Sequence, residues 1–227
     1  GCHASSYPDQ VMEQKEIDFL FRGEAEFSFQ LFLDELEKKE PNWSIVKGLL
    51  YRSSDGNNIK NDIKFEESLD RISIPDYDSI NLEKYIEHGY RYNSPVKRNA
   101  PIIATRGCPY RCNFCSAPII NGKKIRKHSV EYMREWIKYL YEKKNIKWFS
   151  IIDDNFTFDA DYAKAFCQEI INLGLKDIGF ANPNGVRLQR GNPELWALMK
   201  LAGWRTIHIA PESGSNRALK LMKKDLN

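Results

Sequence analysis

The feature that most constrains this chain is a set of three cysteines at the spacing C-x-x-x-C-x-x-C. Cys108, Cys112 and Cys115 follow a short apolar run that begins at Ile102 and a turn glycine, Gly107. Soft thiolate ligands bind iron well, and one compact loop can wrap one face of a cubane cluster. Three thiolates leave one iron without a protein ligand, and an open iron invites a small molecule. The spacing therefore predicts a 4Fe–4S cluster held by these three cysteines.

This pattern resembles the radical S-adenosylmethionine (SAM) superfamily, in which SAM chelates the fourth iron through its amino and carboxylate groups. In that family the aromatic residue before the last cysteine lies beside the adenine, which implies this role for Phe114. The resemblance implies a 4Fe–4S cluster and SAM as cofactors and a 5′-deoxyadenosyl radical as their product. The protein's own contribution would be orientation of the reactants and exclusion of water.

A structural zinc site is the main alternative for the three cysteines. Such a site needs a fourth Cys or His nearby. The closest candidate is His128 in a basic stretch, and the sequence contains no second C-x-x-C. A disulfide framework does not suit five cysteines, and Cys167 lies in an apolar helical stripe that predicts an inert core residue. The rival function is thus a zinc-stapled interaction module without catalysis.

Composition excludes several classes of partner. The 227 residues carry a net charge of +3, which is too small to indicate a nucleic-acid partner. No apolar run approaches the length of a membrane span. Five cysteines without pairing spacing suit a reducing, cytoplasmic location. We expect a small-molecule substrate, and the family resemblance implies an electron donor such as flavodoxin or ferredoxin.

The first forty residues contain a second resemblance. A short strand is predicted at 18–21 and a helix at 24–39, because Phe29, Phe32, Leu33 and Leu36 recur at the i, i+3, i+4, i+7 spacing of a helix. The segments Gly1-Cys2-His3-Ala4 and Arg22-Gly23-Glu24 resemble the end of the cobalamin-binding domain that precedes many radical SAM cores, although Cys2 stands where that family has proline. The resemblance implies that residues 1–40 are the carboxyl-terminal remnant of such a domain.

That domain would make cobalamin a cofactor of the full-length parent, with the axial histidine motif lying before residue 1. His3 is open to two interpretations, a turn histidine or a cofactor contact. Residues 41–100 are predicted to form a hairpin over 45–64 and then a linker between domains. Tyr85, Tyr90 and Tyr92 in that linker are interpreted as packing residues or, alternatively, as the lining of a substrate mouth.

From residue 101 onward, strands alternate with amphipathic helices in four units. Strands are predicted at 147–152, 177–181 and 205–210 after the one that precedes the cysteines. Repeated strand–helix units indicate a parallel sheet with right-handed crossovers. We therefore predict an α/β fold: a partial parallel (β/α) TIM-like barrel of the radical SAM type over 101–227, preceded by the tail of a doubly wound cobalamin-binding domain. We also expect the chain to be a fragment truncated at both ends.

Chemistry in parallel barrels gathers at the carboxyl ends of the strands. Asp153 and Asp154 end the second strand and resemble an Asp-Asp-x-Phe motif of cobalamin-linked members, at the place where the superfamily contacts the SAM ammonium. Two adjacent carboxylates suit a cation. The alternative is a solvated turn that caps the next helix.

The third and fourth strands end in further candidate ligands for SAM. Asn184 and Arg187 belong to an Asn-Gly-x-Arg segment common in these proteins, and Arg187 suits either the SAM carboxylate or an ion pair with a neighbouring acid. Glu212 and Ser213 match the family's Glu-Ser-Gly-Ser and are expected at ribose hydroxyls or the amino group. His208, two residues before Ala210, is interpreted as a barrel histidine.

The family resemblance implies cobalamin-dependent methyl transfer or related radical chemistry on an unidentified substrate. A cobalamin-independent enzyme of the methylthiotransferase type is the alternative, although residues 1–40 offer no match to its cysteine-bearing domain. The candidate residues contain no acid–base dyad, so no protein side chain is assigned as catalytic.

Overall fold

The computed structural model describes residues 1–226, and its contacts divide them into two compact units. The first unit comprises Gly1–Glu67 and Gly107–Ile125, and the second comprises Ser68–Arg106 and the residues from Arg126 onward. In chain order the helices and strands are α1 (Cys2–Ser6), α2 (Pro8–Met12), β1 (Phe19–Phe21), α3 (Glu26–Leu36), β2 (Leu49–Arg52), β3 (Asn58–Lys60), α4 (Leu82–Glu87), β4 (Asn99–Ile102), β5 (Thr105–Arg106), α5 (Ala117–Ile120), β6 (Arg126–Lys127), α6 (Val130–Lys144), β7 (Trp148–Ile151), α7 (Ala160–Asn172), β8 (Gly179–Val186), α8 (Pro193–Leu201), β9 (Trp204–Ile209) and α9 (Asn216–Leu221).

The first unit is built on a small antiparallel sheet in the order β1-β2-β3. Leu20 lies opposite Leu50 across the sheet, and both pack with Met12 of α2. The alternate residues point to the other face, where Phe19 lies against Phe32 of α3 with ring centroids 4.9 Å apart. Period-two alternation thus buries both faces of a three-stranded sheet. The strand predicted at 18–21 and the hairpin predicted over 45–64 are confirmed.

The helix predicted at 24–39 is confirmed as α3, and one of its four regularly spaced apolar residues is buried. Phe32 is buried, but Phe29, Leu33 and Leu36 are 49%, 44% and 54% exposed. The helix packs on strands of only three or four residues. So narrow a sheet covers one line of side chains along the helix and leaves the rest of the apolar stripe uncovered.

The second unit contains a parallel sheet in the order β4-β7-β8-β9. The spatial order of these four strands is thus the same as their order along the chain. A doubly wound sheet would reverse direction at a switch point, whereas a barrel adds each strand beside the last. Helices α6, α7 and α8 connect consecutive strands. The predicted partial TIM-like arrangement is confirmed.

The helices pack on one face of this sheet. Phe149 of β7 and Phe180 of β8 stack at 5.2 Å between ring centroids, and Phe180 stacks on Trp204 of β9 at 4.5 Å. Met133 of α6 and Phe166 of α7 lie in the same buried cluster. Burying each aromatic side chain is worth about 2 to 3 kcal/mol of transfer free energy, so this face carries much of the unit's stability.

The helix starts follow from capping residues in the sequence. Ser129 accepts a hydrogen bond from the Tyr132 amide at the start of α6, and Asn192 accepts one from the Leu195 amide at the start of α8. Each side chain satisfies one of the amides that a helix start leaves without a partner. Serine and asparagine are preferred at the cap position, so the local sequence specifies where both helices begin.

Residues 70–100, predicted to link two domains, pack within the second unit. Tyr77 and Ile86 are buried in its main cluster, and the Tyr77 hydroxyl accepts a hydrogen bond from Trp136 Nε1 at 3.0 Å. The segment therefore contributes to the core of that unit. Among residues 1–226, no helix is both long enough and apolar enough to cross a membrane.

Candidate active site

The cysteine loop lies in the first unit and is closed at its base by backbone contacts. The Cys108 amide donates to the Gly122 carbonyl at 3.0 Å. Gly107 has φ of +94°, and a Cβ atom there would lie 2.2 Å from the carbonyl oxygen of Lys124. A side chain at this residue would be excluded both by the left-handed backbone and by the close approach of Lys124. The glycine therefore allows the loop to return on itself.

The three cysteines lie on accessible parts of this loop. Cys108 and Cys112 are half-buried and Cys115 is exposed, as is Phe114. The Cys115 amide donates to the Cys112 carbonyl at 3.2 Å, so these two residues lie at the ends of one tight turn. Within residues 1–226, no three metal-ligating side chains converge on a common point as they stand. A cluster therefore requires the cysteine side chains to turn toward one another, and the donor set of three soft thiols fits iron.

Helix α5, which follows Cys115 directly, contacts α1 within the first unit. A Cβ atom on Gly23 would lie 3.5 Å from the Ile120 carbonyl and 3.1 Å from Ile63, and the Gly23 amide donates to buried Ser5. The predicted Arg-Gly-Glu segment thus joins α1 to the segment that follows the cysteines. The amino-terminal residues pack as part of the support for the cysteine loop.

His128, the nearest candidate for a fourth zinc ligand, serves the fold of the second unit. It is buried, its Nδ1 lies 3.2 Å from the Asp70 carboxylate, and its ring stacks on Tyr132 at 4.1 Å. Asp70 also accepts from the Ser129 amide at 2.8 Å. One histidine nitrogen is therefore committed to a carboxylate at the start of α6.

We expect His128 to make stability depend on pH. Burial lowers its pKa, and the hydrogen bond to Asp70 opposes this shift. Because the folded-state pKa lies below the unfolded value near 6.5, the stabilisation is present above pH 6.5 and is lost as pH falls through the folded-state pKa. The advantage of the wild type over His128→Phe in urea unfolding should be smaller at pH 5 than at pH 7.5. An advantage that grows on acidification would mean that pairing with Asp70 outweighs burial.

Cys167 is confirmed as a core residue. It is fully buried in α7, and burial raises the pKa of its thiol to about 12. A protonated thiol in an apolar core is a poor iron ligand. Cys2 is exposed at the start of α1.

Asp153 has a different environment from the one its predicted role requires. It is 3% exposed, and its two carboxylate oxygens accept from the amides of Ala104 and Thr105, both at 2.8 Å. Burial raises the pKa of Asp153 to about 7, and the two amide hydrogen bonds oppose the shift. The side chain thus ties the end of β7 to the backbone that leaves β4. Because the carboxylate is almost completely buried and both oxygens accept backbone amides, this environment favours a positioning role over contact with SAM.

The residues after Asp153 form a polar turn at the same end of β7. Asp154 is half-buried, whereas Asn155 and Thr157 are almost fully buried. Among the described residues, the Asn155 Oδ1 and Thr157 Oγ1 atoms have no hydrogen-bond partner. Buried polar atoms usually have partners, so this turn has hydrogen-bonding capacity for a polar ligand. Sequence analysis missed Asn155 and Thr157 because a polar residue in a predicted turn gives no burial signal.

Asn184 and Arg187 lie at the end of β8. The Asn184 side chain donates to the Ile152 carbonyl at 2.6 Å and accepts from the Tyr92 hydroxyl at 2.9 Å. Arg187 is buried, 6% exposed, immediately after the strand. The strand continues past its predicted end at residue 181 because a bulge between Asn182 and Val186 accommodates Pro183 and Gly185.

Glu212 and Ser213 follow β9 in a turn before α9. Glu212 has φ of +60° and pairs with Lys224 at 2.8 Å. Ser213 Oγ accepts from the Ser215 amide at 3.1 Å, and Ser215 in turn caps α9. These hydrogen bonds and the ion pair hold the Glu-Ser-Gly-Ser turn in one conformation.

The carboxyl ends of the four parallel strands therefore meet through specific contacts. Asp153 connects the ends of β7 and β4, and Asn184 connects the ends of β8 and β7. Gly185 lies against Ala210, two residues before Glu212, since a Cβ on Gly185 would come within 3.2 Å of the Ala210 Cβ. All the candidate side chains of the second unit thus follow strands that end at one edge of the sheet.

Residues 102–227 match the model of the Radical SAM superfamily. The chain is 31% identical over 252 aligned residues to cytidylyl-2-hydroxyethylphosphonate methyltransferase of Streptomyces wedmorensis, with 100% of this chain and 46% of that protein covered. The chain spans about half the length of this curated relative.

Two solved structures share the fold. The cobalamin-dependent SAM radical enzyme OxsB with aqua-cobalamin bound superposes with a TM-score of 0.79 and 23% identity, over 99% of this chain and 32% of that one. The radical SAM methyltransferase TsrM of Kitasatospora setae, with tryptophan and a SAM analogue bound, gives a TM-score of 0.75 and 17% identity, over 96% of this chain and 42% of that one.

Proposed function

We propose, because this chain belongs to the Radical SAM superfamily, that it is part of an enzyme using a 4Fe–4S cluster and SAM. When bound, these two groups together supply reductive cleavage of a carbon–sulfur bond and a 5′-deoxyadenosyl radical. The observation that carries the proposal is the loop that presents Cys108, Cys112 and Cys115 within eight residues on an accessible surface. Three thiols on one loop suit a cluster that keeps one iron for SAM.

We assign the cluster to the three cysteines and the adenine contact to Phe114. The SAM contacts of the second unit are assigned to Asp154, Asn184, Arg187, Glu212 and Ser213, which follow strands ending at one edge of the sheet. A buried arginine suits a carboxylate, and the acidic side chains suit an ammonium or a sulfonium. Asp153, assigned to SAM by the sequence pattern, is assigned instead to holding the ends of β4 and β7 together.

The reaction that we propose is methyl transfer with cobalamin as a second cofactor of the whole protein. The Streptomyces relative and TsrM are both methyltransferases, and OxsB binds cobalamin. We propose that residues 1–40 end a cobalamin-binding domain, that residues 41–100 lead from it, and that the radical SAM core begins at residue 101. Within the first unit, the Gly23 amide donates to Ser5 of α1, and α1 contacts α5, the helix that follows Cys115. These contacts support our proposal that the amino-terminal segment serves the same site as the cysteine loop.

The remaining partners follow from the chemistry. A small-molecule substrate would receive the methyl group. A reduced carrier protein such as flavodoxin or ferredoxin would supply the electron. We propose that the reaction takes place in the cytoplasm. A methylthiotransferase-like reaction without cobalamin is less favoured because the reported relative is a methyltransferase. The zinc module is also less favoured, since the ring of the nearest histidine, His128, is buried and stacked on Tyr132.

The proposal predicts that the full-length protein, loaded anaerobically with iron and sulfide and then reduced, cleaves SAM to 5′-deoxyadenosine. Replacing Cys115 by alanine should lower this product at least about 100-fold, because a cluster lacking one thiolate is not retained. Liquid chromatography of quenched reactions measures the nucleoside. Cys2→Ala, which changes an exposed thiol outside the loop, is the matched control and should keep wild-type activity.

Equal amounts of 5′-deoxyadenosine from the wild type and the Cys115→Ala variant would contradict the proposal. Cobalamin binding is a separate readout. The cobalamin absorbance should stay with the full-length protein on gel filtration, and its loss there would argue for a radical enzyme that works without cobalamin.

A further inference from the structure

The central strands β7 and β8 of the parallel sheet are buried on both faces, and helices explain only one of these faces. Side chains two residues apart on a strand share a face. The register places Asn99, Trp148 and Gly179 in one row and Pro101, Ser150 and Ala181 in the next, all opposite the face that carries Phe149 and Phe180. Ser150 and Ala181 are nevertheless 0% exposed. In a parallel barrel this face is the inner one.

Residues 90–96, here called the inner segment, lie across this inner face. Asn99, 5% exposed, donates to the carbonyls of Tyr90 and Val96 at 3.1 Å and 3.3 Å and accepts from the Tyr92 amide at 3.4 Å. The hydroxyl of Ser150 donates to the Tyr92 carbonyl. Buried side chains of β4 and β7 therefore hold the inner segment by its backbone.

Two side chains of the inner segment reach strands further along the sheet. The Tyr92 hydroxyl donates to Asn184 Oδ1 at 2.9 Å, and Asn93 Nδ2 lies 3.2 Å from His208 Nδ1. The other end of the Asn184 amide donates to the Ile152 carbonyl, next to Asp153. The backbone of Tyr92 is therefore held by Ser150 in the middle of β7, while its hydroxyl reaches Asn184 at the edge of the sheet where the candidate SAM ligands lie.

We propose that Tyr92 is a positioning residue of the SAM site, acting through Asn184. The inference rests on the proposed function. With its Oδ1 held by Tyr92 and its Nδ2 held by Ile152, the Asn184 amide has one orientation. Each of its groups can still make one more hydrogen bond, since an amide offers two donors and two acceptor lone pairs. A preorganised amide binds a ligand more tightly than one that must first be ordered.

A double-mutant cycle on the full-length, cluster-loaded protein tests this role, with SAM affinity measured by anaerobic titration calorimetry. Tyr92→Phe removes only the hydroxyl and should weaken SAM binding about 3- to 10-fold, the range expected for one hydrogen bond. Asn184→Ala should weaken binding at least as much, and the double variant should bind no more weakly than Asn184→Ala alone. Tyr90→Phe is the matched control: its side chain is 57% exposed, and it should bind SAM as the wild type does.

Unchanged SAM affinity in Tyr92→Phe, with or without a lower melting temperature, would overturn the inference, because the hydroxyl would then serve the fold alone. Effects of Tyr92→Phe and Asn184→Ala that multiply in the double variant would also overturn it, since the two residues would act independently. Failure of Asn184→Ala to change the affinity has the same consequence. A cluster-loaded wild type that does not bind SAM would instead contradict the proposed function, so the two failures are distinguishable.

Discussion

Replacing any one of Cys108, Cys112 and Cys115 by alanine is expected to abolish binding of the 4Fe–4S cluster. The reconstituted wild type should hold about four iron atoms per chain, and each variant fewer than about one, because two thiolates do not retain a cubane cluster. Iron and sulfide analysis after anaerobic desalting measures the loss, and the brown absorbance should disappear with it. All three residues lie on the accessible loop closed by Gly107, so the substitutions leave the buried clusters of both units unchanged.

A Cys2→Ala/Cys167→Ala double variant is the control for this series. Cys2 is exposed on α1 outside the loop, and Cys167 is a buried thiol whose pKa is raised. The double variant should retain the wild-type iron content. Full iron content in Cys112→Ala would refute the assignment, and a colourless wild type that binds one zinc ion would favour the structural alternative.

The parallel sheet was predictable because several local signals agree. Apolar runs alternate with helical stripes, and Ser129 and Asn192 mark helix starts whose capping hydrogen bonds are present in the structure. Periodicity and capping are properties of a few neighbouring residues, so a sequence contains them in full. The burial of Cys167 followed from the same kind of pattern.

Sequence patterns say least where the size or nature of the packing partner matters. The apolar stripe of Phe29, Leu33 and Leu36 indicates a helix, but it does not specify how wide a surface that helix meets, and these side chains are exposed. Strand β8 was predicted too short because Pro183 and Gly185 usually end a strand, whereas a bulge lets this one continue. Both outcomes depend on neighbours distant in sequence.

The same reason explains what sequence analysis missed in the candidate site. The Tyr92 hydroxyl meets a residue 92 positions away in the chain, and the Asp153 carboxylate meets amides 48 and 49 positions away. An acidic pair after a strand predicts a polar strand end, and it does not reveal which carboxylate is buried against backbone. Residue types therefore indicated the location of the site, and the division of roles within it required the structure.

Replacing Asp153 should cause the largest loss of stability of any single change in the second unit's candidate site. Asp153→Ala leaves the amides of Ala104 and Thr105 buried without partners, which costs about 3 kcal/mol of the free energy of unfolding at pH 7. Asp153→Asn keeps one side-chain oxygen that accepts from a backbone amide, but its NH2 group then faces the other backbone amide, so that two donors oppose each other. This substitution should cost about 2 kcal/mol of the free energy of unfolding. Urea unfolding followed by circular dichroism measures both. Asp154→Asn, at the half-buried neighbour, is the control and should cost less than about 1 kcal/mol.

The effect of Asp153→Asn should also depend on pH in a defined direction. The folded-state pKa of about 7 lies above the unfolded value of about 3.9. The carboxyl therefore contributes its full stabilisation below about pH 4 and loses part of it as pH rises through 7, whereas asparagine does not titrate. The gap between wild type and Asp153→Asn should accordingly be smaller at pH 8.5 than at pH 5.5. A gap that widens at pH 8.5 would show that the two amide hydrogen bonds outweigh burial, and a variant as stable as the wild type at both pH values would remove Asp153 from the structural role assigned to it.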